Sequence, residues 1–457
     1  MSSRTIITGI VGIAVVVVTT AAAPDTPVPS NRPTNFLGSP VASCASAGCH
    51  GGGKVGAMGS EQSTWVAGDP HANAYRVLFN DDSTRITTNL RKGDPTRPSA
   101  HKDASCLACH TSGNNACFDG AAISNTSDGV GCDACHGASS QWLSKHFEPS
   151  WKSFDVAMKE KLGFHNTKDL VTRIGTCVGC HVGDATREVT HDLIAAGHPR
   201  LAFEYTRYHF ATKYSKHWIE PLPNRDFEVR AWAIGQIVAA KAAVDLVHNR
   251  SIHAKLGSTP WPELAEQSCF ACHKGLTQPV KEASNRTLGT ADWQPWYLAT
   301  FEVVSSNATS LFPGTHSPET KSLADLVSEM RKVKPDPAHV QSLASAASQS
   351  FGSWLAEIQA SERSNPGTRI QQETIRSLAI ALAKSGEVQS DWDRVAPHFL
   401  AVSALYHADG TQLPHWKEPL EKMKKIVHYP QGYNSPQQFD AAKSKALFHE
   451  MSERAKR

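Results

Sequence analysis

Five short cysteine–histidine motifs constrain what this chain can fold into more than any other feature of its sequence. Four of them read Cys-x-x-Cys-His, and the first along the chain reads Cys-x-x-x-x-Cys-His. With 11 cysteines and 22 histidines among 457 residues, composition alone would give roughly 0.01 copies of the shorter motif. The motif residues are Cys44, Cys49 and His50; Cys106, Cys109 and His110; Cys132, Cys135 and His136; Cys177, Cys180 and His181; and Cys269, Cys272 and His273.

The spacing of these motifs is typical of covalent haem attachment. The two thiols bond to the two vinyl groups on one edge of a porphyrin, and the histidine that follows lies under the ring and binds iron. Zinc sites and redox dithiols also use paired cysteines, but neither needs a histidine directly after the second cysteine in every copy. The sequence therefore predicts five haem c groups, tethered by the motif cysteines and bound by the motif histidines.

The first motif differs from the others because two extra residues lengthen the loop between its thiols. The four intervening residues, Ala45 to Gly48, are all small, so the loop can bulge without meeting the porphyrin. The alternative is a disulfide between Cys44 and Cys49. Cys117 belongs to no motif, and it is either a buried or idle thiol or a reactive or ligating one.

Each iron also needs a ligand on its far side, and histidine is the abundant candidate. The haem region has only two methionines after the N-terminal leader, Met58 and Met158. Bis-histidine ligation and low reduction potentials are therefore predicted. The candidate second ligands are His71, which follows a proline at a predicted helix start, and His146, His191 and His198, with His209 and His217 as weaker candidates.

Two of these candidates, His191 and His198, are seven residues apart. On one helix they would face the same way, about 10 Å apart along the axis, and would reach two neighbouring haems. The alternative is that one of them is only a surface residue. We expect the remaining histidines of this region to be solvated or packing residues: His101, His165, His248 and His253.

Counting histidines does not show whether one iron keeps an open position, which is the difference between an electron carrier and an enzyme. An open iron would need proton donors and positive charge above it. The side chains of Tyr205, Arg207, Tyr208 and His209 supply such groups. The alternative is ordinary packing of a helix face.

The N-terminus has the layout of an export signal. Arg4 precedes an uncharged apolar run over residues 6–18, which ends in small residues up to Ala23. Residues 1–23 are predicted to be a signal peptide. Because Pro24 would be an unusual first residue of a mature chain, an uncleaved anchor that associates with a membrane is the alternative. Either way, the body of the protein is predicted to be periplasmic or otherwise exported.

The composition and hydrophobic pattern predict a mainly α, loop-rich fold with little β structure. Residues 24–43 read as a flexible linker, residues 44–280 as a pentahaem domain, and residues 281–457 as a helical C-terminal region, which alternatively wraps the haem domain as an integral part of it. The longer helices are predicted at 190–208, where Pro199 breaks or kinks the helix, and at 227–248, 320–333, 339–361 and 369–383. The net charge of +3 gives no argument for nucleic acid as a partner.

Several of these residues resemble a known family. Residues 129–137, which surround the third motif, are similar to the haem segment of the cytochrome c554 family of multihaem proteins. His71 in its Asp69-Pro70-His71-Ala72 setting is similar too. The resemblance covers about residues 40–220 and does not extend to the C-terminal region. It implies a mostly helical fold around haems in stacked pairs, electron transfer to redox partner proteins, and His71 as a second ligand, with His146 and His191 less closely matched.

The chain also departs from that family. The family carries four haems in ordinary motifs, whereas this chain has a fifth motif and one widened loop. Every motif here ends in histidine, which argues against a pentahaem nitrite reductase, whose catalytic motif typically ends in lysine. The predicted function is electron transfer through about five haems. The alternative is a haem enzyme with one open iron that acts on hydroxylamine or a small nitrogen or sulfur oxyanion.

Overall fold

The computed structural model describes most of the chain beyond residue 40. The described residues are 41–112, 127–209, 217–218, 225–257, 259–269, 273, 291–365, 369–408, 413–428 and 439–454. The predicted leader, residues 24–40 of the predicted linker, Cys117 and Cys272 lie outside these ranges.

Short helices and long connections make up the first part of the described chain. Aspartate or asparagine side chains accept a backbone N–H at the start of several of these helices, which stabilises their first turns. The α-helices are α1 (Glu61–Gly68), α2 (Asp81–Leu90), α3 (Ala104–His110), α4 (Cys132–His136), α5 (Val156–Lys161), α6 (Leu170–His181), α7 (His191–Ala195) and α8 (Tyr205–His209). Short 3-10 helices lie at Val41–Ser43, Pro70–Asn73, Arg76–Phe79, Ala100–Lys102, Ser139–Gln141, Pro149–Ser153, Leu264–Glu266 and Pro414–Trp416.

Most of the longer helices lie in the second half of the chain. They begin with α9 (Arg225–Lys255), which has 31 residues. The others are α10 (Phe301–Ser306), α11 (Ala308–Leu311), α12 (Lys321–Met330), α13 (Pro337–Ser364), α14 (Gln372–Glu387), α15 (Trp392–Ala408), α16 (Lys417–Val427) and α17 (Ala441–Arg454).

Helix α9 is the centre of the hydrophobic core. Its interior is rich in alanine and β-branched residues, and Trp232, Ile234 and Ile237 are fully buried. It packs against α6 and α8 on the haem side and against α13 and α15 on the other. A helix that is apolar on several faces needs neighbours on several sides, so α9 joins the two parts of the chain.

The hydrophobic core crosses residue 280. One cluster of buried side chains extends from Leu170 to Met451. Polar contacts cross as well, since Arg230 of α9 pairs with Glu362 of α13 at 3.0 Å. The domain boundary at residue 280 stays a prediction, but the described residues on its two sides share this cluster.

Four of the five predicted longer helices are confirmed. The extent of the fifth, at 190–208, is wrong, although the break predicted at Pro199 is present. The segment predicted at 190–208 forms two short helices, α7 and α8, with a non-helical segment between them. Gly197 has φ of 117°, which is outside the helical region, and Pro199 then prevents a helix from continuing. His191 and His198 therefore do not share a helix face, and the 10 Å spacing expected from one helix does not apply.

The predicted fold class is confirmed. Among the described residues, strand pairing is limited to two isolated bridges, one between Asp184 and Arg187 and one between Gln267 and Trp293. The fold is therefore mainly α and loop-rich, with little β structure. In the same part of the chain, we find no helix with both the length and the apolar character that a membrane span requires.

Candidate functional site

Three of the five motifs lie on α-helices and end with them. The second motif closes α3, the third fills α4, and the fourth closes α6. Residues three and four apart in an α-helix share a face. The two thiols and the imidazole of each of these motifs are therefore presented together, which is what one porphyrin edge and its iron require.

The helices of the second and fourth motifs begin at aspartate caps. Asp103 accepts a hydrogen bond from the backbone N–H of Ser105 at 2.9 Å. Asp169 accepts one from the backbone N–H of Thr172 at 2.8 Å. Each such cap stabilises its helix by about 1 kcal/mol, and so it fixes the short element on which the motif lies.

A glycine directly follows the histidine of the third motif. Gly137 has φ of 84°, and a Cβ at this position would overlap the carbonyl oxygen of Gly163. Glycine is therefore required here for two reasons, the left-handed backbone and the close approach of a second chain segment. The chain can then turn away from the haem side directly after His136.

The widened first motif forms turns instead of a helix. The carbonyl oxygen of Ser46 accepts hydrogen bonds from the backbone N–H groups of Cys49 and Gly51, at 2.9 and 3.0 Å. A Cβ on Gly51 would overlap the carbonyl oxygen of Ala45. The small residues of the loop thus fold back on the glycines after the motif. Neither Cys44 nor Cys49 is in a disulfide.

The fifth motif is described only in part. A guanidinium nitrogen of Arg200 lies 3.5 Å from the sulfur of Cys269, and the same guanidinium pairs with Asp393 of α15 at 2.7 Å. The C-terminal region thus contributes a charged side chain next to this motif. His273 is exposed, and Cys272 lies outside the described residues.

Sulfur atoms of different motifs come together in two places. The thiols of Cys44 and Cys132 are within hydrogen-bonding reach, as are those of Cys109 and Cys180. The first motif is therefore a neighbour of the third, and the second is a neighbour of the fourth. The cysteines of each of these two pairs of motifs could therefore hold two haems close to each other.

Three motif histidines each have a second histidine ring within about 6 Å. Two imidazoles on opposite faces of one iron, each bonded at about 2 Å, hold their ring centroids about 6 Å apart. The centroid distances are 6.0 Å between His181 and His71, 6.2 Å between His50 and His146, and 6.3 Å between His136 and His217. The spacing of these three pairs fits a haem iron between the rings.

In several of the motif and candidate histidines, Nδ1 has a hydrogen-bond acceptor, which leaves Nε2 as the nitrogen that would bind iron. Because a carbonyl oxygen only accepts, the Nδ1 atom bonded to it must carry the proton, and Nε2 keeps its lone pair for a metal. Nδ1 of His110 donates to the carbonyl of Ala74 at 2.8 Å and Nδ1 of His146 to that of Leu143 at 2.5 Å. Nδ1 of His198 donates to the carbonyl of its neighbour Pro199 at 2.8 Å.

Two further histidines use a carboxylate in the same role. Nδ1 of His50 lies 2.9 Å from a carboxylate oxygen of Glu61. Nδ1 of His71 lies 2.9 Å from a carboxylate oxygen of Asp69. Ligand histidines in metalloproteins almost always have such a partner on the other ring nitrogen, so the pattern suits a ligand role for both.

Burial keeps two of the motif histidines neutral, which is the form that binds a metal. Burial, together with the nearby His217 and His165, lowers the pKa of His136 to about 4. Burial and then the neighbouring His71 lower the pKa of His181 to about 4. Both side chains are therefore free of a proton on one ring nitrogen at neutral pH.

The remaining candidate ligands lie close to other motifs. Burial, and to a lesser degree the nearby His110, lowers the pKa of His198, against its hydrogen bond to Pro199. His198 is thus a neighbour of the second motif. The backbone N–H of His191 donates to Glu263 at 2.8 Å, which places it near the segment that leads into the fifth motif.

Of the four residues considered for an open iron site, Arg207 and Tyr208 are exposed and the other two are buried. Tyr205 and His209 are buried and share a hydrogen bond of 3.2 Å. The ring of Tyr208 lies 5.3 Å from that of His181. Tyr208 therefore lies beside a motif histidine.

The sequence did not predict the two carboxylates Asp69 and Glu61, and His217 was only a weaker candidate. Asp69 was visible two residues before His71, as the cap of the 3-10 helix Pro70–Asn73. Glu61 had no comparable signal, because it is 11 residues from His50. His217 is one of several histidines in its region, and only the fold places it near His136.

Comparison with known proteins supports the assignment of the motifs. A family model described as cytochrome c554 and c-prime matches residues 43–137, which include the first three motifs. No curated protein matches the chain, and no solved structure matches it. The chain is a c-type cytochrome that resembles this family, with covalently bound haem c and an electron-transfer role.

Proposed function

We propose that this c-type cytochrome is an exported electron-transfer protein with five haem c groups, most of them bound by two histidines. The observation that carries the proposal is the spacing of the three histidine pairs, His181 with His71, His50 with His146 and His136 with His217. An electron-transfer haem of this kind has a histidine ligand on each face of its iron, and these pairs could supply both ligands.

Haem iron supplies the one-electron couple, and the chain supplies attachment, ligands and surroundings. In this proposal, the motif cysteines tether each haem at one edge and the motif histidines bind the near face. For the far faces of the two haems without an observed pair, we assign His198 to the second motif and His191 to the fifth. Their positions near His110 and Glu263 support these assignments.

The scarcity and the placement of methionine support the same ligand set. The two methionines of the haem region, Met58 and Met158, are both exposed at the surface, with 84% and 45% of their area accessible. A thioether ligand has to lie in the haem cleft, next to the iron. Histidine is therefore the ligand that this region offers on both faces, and low reduction potentials follow.

The remaining parts of the proposal concern location and partners. Export is supported by the basic and apolar layout of residues 1–23, which is typical of a signal peptide. Retention of that segment as a membrane anchor is the alternative fate. The partners would be other redox proteins, which donate electrons to the chain or accept them from it.

The ferric spectrum of the full-length holoprotein tests this proposal. If every iron has two histidines, electron paramagnetic resonance should show only low-spin haem, and cyanide or nitrite should change nothing. A substantial high-spin signal that shifts when cyanide or nitrite is added would contradict a pure electron carrier. It would instead favour an enzyme with an open iron, acting on hydroxylamine or a small oxyanion.

A further inference from the structure

Among the motif histidines and the principal candidate ligands, five have a carbonyl or carboxylate acceptor at Nδ1, and these five fall into two chemical classes. His110, His146 and His198 donate to backbone carbonyls. His50 and His71 instead use the carboxylates of Glu61 and Asp69. The two classes differ by a full negative charge beside the imidazole.

Both carboxylates are held in place by backbone groups as well as by the histidines. The same oxygen of Asp69 that bonds to the His71 ring also accepts the backbone N–H of His71 at 2.9 Å. The second oxygen of Glu61 accepts the backbone N–H of Gly59 at 3.0 Å. Their side chains are only 16% and 29% exposed. The acceptors are therefore positioned by the fold before any metal is bound.

A carboxylate acceptor makes an imidazole a stronger electron donor, because it draws the Nδ1 proton towards itself. Its negative charge also lies within a few ångströms of the metal site, where it favours the more positive ferric state. Both effects act in the same direction. Glu61 and Asp69 should each lower the reduction potential of the haem that its histidine would bind.

The two carboxylates belong to different close pairs of motifs. Glu61 acts on His50 of the first motif, whose neighbour through Cys44 and Cys132 is the third motif. Asp69 acts on His71, which lies near His181 of the fourth motif. The fourth motif is a neighbour of the second motif through Cys109 and Cys180. In each pair of motifs, one haem would therefore have a histidine ligand that is bonded to a carboxylate.

Other charges also lie near both pairs. A guanidinium nitrogen of Arg187 is 3.5 Å from the sulfur of Cys180 in the fourth motif, and the third motif itself contains Asp133. The effect assigned to each carboxylate is therefore limited to the haem that its own histidine would bind.

We propose that Glu61 and Asp69 are positioning residues that lower the reduction potentials of the haems at the first and fourth motifs. Each acts through the imidazole that it holds, His50 for Glu61 and His71 for Asp69. This inference rests on the proposed electron-transfer function.

Potentiometric titration of the holoprotein, followed by its optical spectrum, tests the inference with Asp69→Asn and Glu61→Gln. Asp69→Asn removes the charge and keeps the oxygen that accepts both N–H groups of His71. Glu61→Gln also removes the charge, but its one amide oxygen can replace only one of the two acceptors that His50 and Gly59 use. Each variant should shift one haem to a more positive potential, by about tenfold in its reduction equilibrium, which is about 59 mV for one electron. Asp155→Asn is the matched control, because Asp155 is also a helix cap but bonds to Met158 instead of a histidine.

The outcomes separate this inference from the proposed function. If both variants keep the wild-type haem content, low-spin spectrum and potentials, the inference is wrong and the electron carrier stands. If the wild-type protein binds no haem, the proposed function itself fails. Should Asp69→Asn fold poorly, Asp69→Glu and Glu61→Gln decide. The inference is supported if Asp69→Glu keeps the wild-type reduction potentials and Glu61→Gln shifts one potential in the positive direction. It is contradicted if Glu61→Gln shifts no potential.

Discussion

Replacing His71 with alanine should convert one haem per chain from low spin to high spin. The His71 ring lies 6.0 Å from that of His181, and its Nδ1 is held by Asp69 at 2.9 Å. Without this imidazole, the iron at the fourth motif would keep one protein ligand and become weakly coordinated on its other face. A high-spin signal from about one haem in five should appear in the ferric electron paramagnetic resonance spectrum.

Added imidazole should reverse the effect, since it fits the space that His71→Ala leaves. The matched control is His101→Ala, because the His101 ring packs on Phe79 with centroids 4.4 Å apart and is not opposite a motif histidine. Its spectrum should remain low-spin. A low-spin spectrum in His71→Ala as well, with full haem content, would show that His71 does not bind this iron.

Replacing Phe351 with alanine should destabilise the whole protein by about 3–5 kcal/mol. Phe351 is fully buried on α13, with its ring 4.9 Å from that of Phe301, in the hydrophobic cluster that also contains α9. Truncation removes a large apolar surface and leaves a cavity that rigid neighbouring helices cannot fill. Guanidinium unfolding, followed by helical circular dichroism, measures the loss.

The control for this variant is Val388→Ala, because Val388 is 77% exposed and its truncation should change stability by less than about 0.5 kcal/mol. If residues 281–457 formed an independent unit, Phe351→Ala would lower the unfolding midpoint of that unit alone. The shared cluster predicts a common transition in which haem absorbance and helix content are lost together. Two separate unfolding transitions, of which Phe351→Ala destabilises only the one of residues 281–457, would contradict the shared hydrophobic core.

The chemistry of the motifs could be predicted from sequence because it depends on local spacing. Cysteines at positions i and i+3 and a histidine at i+4 share a helix face wherever the segment is helical, and three motifs are placed this way. The helices α12, α13 and α14 were predictable for a similar reason, since their apolar periodicity and good helix formers act within each segment.

The arrangement of the motifs relative to one another could not be predicted. Cys44 and Cys132 are neighbours although 88 positions separate them along the sequence, and no local pattern encodes such a contact. The same holds for His181 and His71. Local information gave the break at Pro199 but not the extent of the helices beside it, because Gly197 already leaves the helical conformation and α8 begins only at Tyr205.

The intact mass of the mature holoprotein under denaturing conditions tests the central claim most directly, because covalent haem survives unfolding. We expect a mass increase of five haems over the polypeptide, and of four haems in the double variant Cys44→Ser, Cys49→Ser. A wild-type mass with four haems, unchanged in the double variant, would contradict the account by showing that the first motif does not attach haem.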